Sequence, residues 1–134
     1  MRIWALRVLV GLLGLIAVVT GIRSILVGLD PVIAAPNAGA VELDNNLRFL
    51  SAIWAAIGVA LWTCVRDPIA RLPALRVLVW LIFAGGVGRI AAFIVHGLPA
   101  VSYLAITASE LLAPLLLLMA RGPTTAGRQT SQVP

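Results

Sequence analysis

Ionisable side chains interrupt stretches of the sequence that are otherwise apolar. Arg48 lies in NNLRFLSAIW, Arg89 and His96 lie in GGVGRIAAFIVHG, and Glu110 lies in ASELLAPLLLLM. An ionised side chain inside an apolar helix is costly unless it is paired, so these residues are candidates for function. Glu110 is the strongest candidate, because a carboxylate that far from the ends of its stretch needs a partner.

The amino-acid composition is that of a membrane protein. Of the 134 residues, 61% are hydrophobic and 11% are charged, and the mean hydropathy is +1.07. Soluble domains carry about 25% charged residues. All ten basic residues are arginines spread among apolar stretches. No basic face is available for phosphate contacts, so nucleic acid is not expected as a partner.

The cysteine and histidine content limits metal and redox chemistry. Cys64 is the single cysteine and His96 the single histidine. The chain cannot form an internal disulfide, and one Cys, one His and one nearby Glu do not make a zinc site. We expect neither a metal nor a cofactor.

Four apolar stretches follow one another, each near the roughly 20 residues that cross about 30 Å of hydrocarbon as a helix. They cover about residues 4–29, 46–65, 73–96 and 99–120. Backbone groups in lipid must bond internally, which predicts helices rather than strands. The sequence therefore predicts an all-α, integral membrane four-helix bundle with up-down-up-down topology in residues 1–121. Residues 122–134 are predicted to be a disordered cytoplasmic tail.

The first stretch has features of a secretory signal, because the basic MRIWALR begins it and the small residues of AAPNAGA follow it. The apolar part of a signal has only about 7–15 residues. This stretch is longer and is interrupted by Arg23. We therefore expect a retained first helix rather than a cleaved signal.

The arginines near the ends of the stretches indicate the orientation. With both termini in the cytoplasm, seven arginines lie on or near the inner side, and the outer loops contain acidic residues but no arginine. This bias predicts a multi-pass protein of the bacterial inner (plasma) membrane with both termini cytoplasmic. The seven are Arg2, Arg7, Arg66, Arg71, Arg76, Arg121 and Arg128.

The three remaining arginines, Arg23, Arg48 and Arg89, fall in the outer halves of the predicted helices. Arg89 lies eight residues before Gly97, and Glu110 lies thirteen residues after it. At helical rise these depths differ by about 7 Å, which an arginine side chain can span. An ion pair between Arg89 and Glu110 is therefore expected.

These polar residues are expected to line one pocket that opens outward. Glu110, Arg89 and His96 are the candidates for catalysis. The candidates for ligand binding are Arg23, Asp44, Asn45, Arg48 and Tyr103.

Structural roles compete with these functional ones. Arg23 and Arg48 can extend to the lipid headgroups along their apolar stems, and His96 can lie at the membrane interface. Asp44 can cap the second helix and pair with Arg48 four residues later, with Asn45 as part of the same helix start.

Small and aromatic residues predict packing. Small residues let membrane helices approach closely; they are Gly11, Gly14, Gly21 and Gly28 on the first helix, Ala52, Ala56 and Ala60 on the second, and Gly85, Gly86 and Gly88 on the third. The tryptophans are expected to face lipid or the interface; they are Trp4, Trp54, Trp62 and Trp80.

Three stretches resemble a known family. LDNNLRFLSAIWAAIGVAL is similar to a DNELRF-type stretch of the domain-of-unknown-function family numbered 4345, which comprises small bacterial four-helix membrane proteins. FAGGVGRIAAFIVHGLP and ASELLAPLLLL resemble two later stretches of that family, and the likeness covers roughly residues 5–121. The resemblance implies the same fold and no stated activity. Asn46 and Ala92 depart from the family's pattern. The positions that the resemblance implies to be the family's polar and turn residues are Asp44, Asn45, Arg48, Arg89, Gly97, Pro99 and Glu110.

Two main hypotheses for function follow. The protein binds an amphiphile such as a lipid, quinone or isoprenoid in the outward pocket, or serves as an accessory subunit of a membrane complex. Alternatively, it is a small membrane enzyme acting on a lipid or isoprenoid-like substrate, with Glu110 as general acid/base, Arg89 orienting it, and His96 or Tyr103 relaying protons. Transport is a third hypothesis that requires oligomerisation, because four helices leave little room for alternating access. The expected partners are thus membrane lipids or other amphiphiles, a second copy of the chain, or a membrane complex.

Overall fold

The computed structural model describes residues 2–29 and 38–120, in which the regular elements are all helices. The helices are α1 (Arg2–Val27), α2 (Ala38–Val65), α3 (Leu72–His96), α4 (Val101–Leu112) and α5 (Leu115–Ala120). α4 and α5 together form the last of four segments long and apolar enough to cross a membrane. The protein is therefore an all-α, four-helix membrane bundle, as predicted. The expected tail at 122–134 lies outside the described residues.

α2 begins earlier than its apolar stretch does. It starts at Ala38 rather than near Asn46, so Glu42, Asp44 and Asn45 lie within the helix rather than in a loop. Hydropathy locates the part of a helix that lies in hydrocarbon, but the backbone hydrogen bonds that define the helix continue through the polar turns before it. The additional turns are those that bring Asp44 beside the end of α1.

The fourth span was expected as one helix over residues 99–120, but it is divided at Ala113 and Pro114. Proline has no N–H to donate to the carbonyl four residues earlier, and here that carbonyl belongs to Glu110. The N–H of Ala113 donates to the Glu110 carbonyl instead, at 3.3 Å. The break between α4 and α5 therefore comes one turn after the buried acid.

α1 and α2 pack antiparallel along a line of very close backbone contacts. A Cβ atom on Gly14 would lie 2.9 Å from the carbonyl oxygen of Gly58, and one on Gly21 would lie 2.7 Å from that of Ser51. Only a residue without a side chain allows the two backbones to approach this far. The expected contact role of Gly14 and Gly21 is confirmed.

The face that α2 turns to α1 is not the alanine stripe that was expected. The contact face contains Ser51, Ala55 and Gly58, whereas Ala52 and Ala56 are exposed. These two sets differ by a rotation of about 100° around the helix axis, the turn made by a single residue. Both sets have small residues at helical spacing, so spacing alone did not decide which face meets α1.

The buried core lies in one half of the bundle, which we call the basal half; it contains the start of α1, the α2–α3 turn and α5. α3 packs against α4 and α5, and α5 packs against α1. Arg2 donates from Nε to the carbonyl of Met119 at 2.9 Å and from Nη2 to that of Leu118 at 2.7 Å. The beginning of α1 and the end of α5 therefore lie at the same end. The core residues are Leu6, Val10, Leu13, Leu61, Cys64, Leu75, Val79, Ile82, Ala113, Leu116 and Ala120.

In the other half, which we call the distal half, helix faces that continue the core are exposed. Leu50 lies on the same face of α2 as Trp54 and Leu61, and it is 61% exposed. Tyr103 lies two turns before Glu110 on one face of α4, and it is 51% exposed. Most of the core packing between the α1–α2 pair and the α3–α4 pair is thus confined to the basal half.

Substitution of Gly21 by alanine tests the close approach of α1 and α2. The new Cβ would meet backbone atoms of α2, so we expect Gly21→Ala to destabilise the protein by about 1–3 kcal/mol, as overpacking does. Gly11→Ala is the matched control, since its Cβ would lie 3.8 Å from Val65, an ordinary contact. Thermal unfolding in detergent measures both variants. Equal melting temperatures for the two would contradict the close approach.

Candidate functional site

The side chains of Arg89 on α3 and Glu110 on α4 form an ion pair inside the bundle. The Arg89 Nε atom donates to both carboxylate oxygens of Glu110, at 2.9 Å to Oε2 and 3.2 Å to Oε1. The Glu110 side chain is 2% exposed and that of Arg89 is 37% exposed. The pair expected from helix depths is therefore present, with the acid inside and the base at the edge.

A glycine allows α3 and α4 to come together at this pair. A Cβ on Gly86 would lie 3.0 Å from the Cβ of Glu110 and 3.2 Å from Leu111. Gly85 and Gly88 have nothing within 4 Å of such an atom. Of the three α3 glycines that were expected to act in helix packing, only Gly86 lies at a helix contact.

The terminal nitrogens of Arg89 have no hydrogen-bond partner in the described part of the chain. Only Nε is bound to Glu110, so Nη1 and Nη2 keep their four N–H groups for other acceptors. Tyr103 lies on the face of α4 that also bears Glu110, but two helical turns away, a distance of about 10 Å along the axis. The pair therefore offers hydrogen-bond donors at Nη1 and Nη2, while both carboxylate oxygens share the one Nε–H.

Asp44 and Arg48 form a second ion pair, which binds the end of α1. The Arg48 Nε donates to Asp44 Oδ2 at 2.7 Å, and Arg48 Nη1 donates to the carbonyl of Ile25. Asp44 Oδ1 accepts from the backbone N–H of Leu29 at 2.6 Å. Gly28 adopts a φ of +68° at this point, which favours glycine.

These contacts change the roles expected for the pair. Asp44 does not cap the start of α2, because it lies within that helix and accepts from the N–H of Leu29, two residues after the end of α1. A helix end leaves carbonyls without intrahelical partners, and a cation favours that end of the helix dipole. Among the described residues, no hydrogen bond or ion pair joins Asp44 or Arg48 to Arg89 or Glu110. The two ion pairs are separate.

The other candidates lie apart from both pairs. Arg23, Asn45 and His96 are exposed, and no hydrogen bond or ion pair connects their side chains to the described residues. His96 ends α3 two turns beyond Arg89, about 10 Å along the helix. The structure does not bring His96 or Tyr103 into contact with Glu110, which a direct proton relay would require.

The described residues contain no group of three or more His, Cys, Asp or Glu side chains arranged to hold a metal ion. Among the candidate site residues, the side chains that contact one another are those of the two ion pairs. The chemistry available there is hydrogen bonding and charge pairing.

A family model covers nearly the whole bundle. The model described as "Domain of unknown function (DUF4345)" matches residues 5–121. The chain belongs to this family. No curated protein and no solved structure gives a significant match. The matched range includes both ion pairs and the break at Pro114, so the site lies within the family's domain.

Two tryptophans have roles that the sequence pattern did not indicate. The indole Nε1 of Trp54 donates to Thr20 Oγ1 at 3.0 Å, and that of Trp62 donates to the carbonyl of Gly11 at 3.1 Å. Both were expected to face lipid or the interface; both bind α1, and Trp62 is in addition 42% exposed whereas Trp54 is half-buried. Trp4 and Trp80 are exposed. Trp54 lies three residues after Ser51 and Trp62 lies four residues after Gly58, so both are near the face of α2 that meets α1. This spacing could have indicated their roles only once that face was known.

A double-substitution cycle tests the coupling of Arg89 and Glu110. Arg89→Leu strands a carboxylate that is 2% exposed, and breaking a buried pair costs about 3–5 kcal/mol. We expect a smaller loss for Glu110→Gln, because the partly exposed arginine can extend outward. Arg89→Leu combined with Glu110→Leu should recover much of the melting temperature.

Arg76→Leu serves as the control for this cycle, since it makes the same change at an exposed position of the same helix. It should change the melting temperature little. Strictly additive losses from the Arg89→Leu and Glu110→Leu single changes would show that the two side chains are not coupled.

Proposed function

We propose that the protein binds an amphiphile in the distal half of the bundle, with the polar head of the ligand at Arg89. It would do so either as an independent binding protein or as an accessory subunit of a membrane complex. The observation that carries this proposal is the arrangement of the Arg89 guanidinium. Glu110 holds it through Nε, and its terminal nitrogens have no partner among the described residues. Donors at membrane depth require an acceptor.

Exposed apolar side chains in the distal half support an amphiphile rather than a polar solute. Leu50 and Tyr103 lie on helix faces that continue the core, yet both are more than half exposed. Phe93 lies one turn beyond Arg89 on the same side of α3 and is half-buried. An apolar body placed against these side chains would cover them while its head met Arg89, an arrangement common in ligand sites.

The enzyme hypothesis receives less support from the same contacts. A general acid/base must be within reach of the proton that it transfers. Glu110 is 2% exposed, and both of its oxygens accept from Arg89. A substrate would have to displace Arg89 before it met the carboxylate. For this reason Arg89 is the ligand-facing residue of the proposal and Glu110 is the residue that positions it.

Native mass spectrometry of gently solubilised protein tests the proposed binding. Wild-type protein should retain an amphiphile, and Arg89→Lys should reduce the retained fraction about tenfold, the equivalent of one hydrogen bond to a charged group. Lysine keeps a positive charge opposite Glu110 but lacks the planar fork of the guanidinium.

Arg76→Lys, at an exposed position of α3, is the matched control and should retain the amphiphile as the wild type does. Equal retention of the amphiphile by the wild type and by Arg89→Lys would contradict the proposal. Loss of a bound molecule together with conversion to a product would favour the enzyme hypothesis instead. The same spectra report the number of subunits.

We further propose that the distal end faces outward from a bacterial plasma membrane, which places both termini in the cytoplasm. The arginine bias supports this orientation. Leu98→Cys, at an 81% exposed position between α3 and α4, should react with an impermeant maleimide on intact cells. Ala70→Cys, at an exposed position of the α2–α3 turn, should react only after permeabilisation. Native Cys64 is buried and should not react with the maleimide. The reverse labelling pattern would invert the orientation.

A further inference from the structure

We infer that the head bound by Arg89 is a neutral hydrogen-bond acceptor, the carbonyl oxygen of a quinone or an ester, rather than a phosphate or a carboxylate. This inference rests on the proposed function and adds the chemical class of the ligand head. It follows from three features of the site: the depth of the guanidinium, the charge of the ion pair and the positions of the other arginines.

The guanidinium is held deep in the span. Glu110 lies nine residues after Val101, the first residue of α4, a distance of about 13 Å along the helix. Because the Nε atom of Arg89 donates to both oxygens of Glu110, the rest of the guanidinium stays beside the carboxylate. Its terminal N–H groups are therefore offered at that depth rather than at the headgroups.

The charge of Arg89 is already balanced. Glu110 supplies one negative charge within 2.9 Å, so the pair is neutral as a unit. A phosphate or carboxylate at the terminal nitrogens would leave an uncompensated negative charge in a region of low dielectric, which is strongly unfavourable. A carbonyl oxygen accepts the same N–H groups and leaves the pair neutral.

The other arginines of the distal half do not supply the missing positive charge. Arg48 is bound to Asp44 and to the end of α1. Arg23 lies two residues after Gly21, so it points about 160° around α1 from the contact with α2. Neither arginine contacts the Arg89–Glu110 pair through any hydrogen bond among the described residues.

Four probes with the same ten-carbon chain separate the head classes. They are a decyl-substituted benzoquinone, monodecanoylglycerol, decanoate and decyl phosphate. Each is added to delipidated full-length protein in a neutral detergent, and binding is measured by native mass spectrometry and by the shift in melting temperature. At least one neutral probe should bind about tenfold or more tightly than either anionic probe, and Arg89→Lys should remove that preference. Selective binding of the quinone or of the glyceride identifies which carbonyl source fits.

The possible failures are distinguishable. Tighter binding of decyl phosphate or decanoate that Arg89→Lys abolishes would overturn the neutral head and leave the proposed binding function intact. Loss of the same anionic binding in Arg23→Gln would assign the second positive charge to Arg23. Binding of no probe in an Arg89-dependent way would overturn both proposals. If Arg89→Lys does not fold, the ranking of the four probes on the wild type decides between neutral and anionic heads.

Discussion

The Glu110 carboxylate sets the principal constraint on this protein, because a nearly inaccessible acid in an apolar bundle requires a fixed partner. Arg89 provides that partner through a single nitrogen that contacts both carboxylate oxygens. The contact needs α3 and α4 to lie close together, and Gly86 leaves the space for it. Pro114 ends α4 one turn later, so the segment that carries the acid is separate from α5.

The same constraint operates at the helix ends. Carbonyl groups that end a helix have no intrahelical donor and need another partner. Arg48 donates to the end of α1, and Arg2 donates to the end of α5. Arginine suits this position because its donors reach several oxygens and its charge favours the negative end of the helix dipole. These arginines therefore have structural roles that composition alone does not reveal.

Three polar side chains of the candidate site already have partners within the bundle. Asp44 and Arg48 are committed to the end of α1, and the Glu110 carboxylate is committed to Arg89. The terminal nitrogens of Arg89 have no partner among the described residues, and apolar side chains elsewhere in the distal half are exposed. The proposed ligand thus meets a residue whose position is set by a buried acid, a second helix and a glycine contact.

The sequence by itself determined the class of protein, the four spans and the family. These properties depend on composition, on the length of apolar stretches and on residues close along the chain. It also predicted the pair of Arg89 and Glu110, because few charged residues occur at compatible depths. No sequence pattern predicted that Arg2 binds the end of α5, since its acceptors are backbone carbonyls more than a hundred residues away.

Only the tertiary structure decided how each helix is rotated about its axis and which partners its polar groups take. Ser51, Ala55 and Gly58 face α1 although a parallel stripe of alanines was equally suitable by spacing. Asp44 binds the end of α1 rather than the start of its own helix, because α2 extends beyond its apolar stretch. The rotation of a helix and the partners of its polar groups depend on how two whole helix surfaces fit together. The sequence of one helix taken alone does not specify that fit.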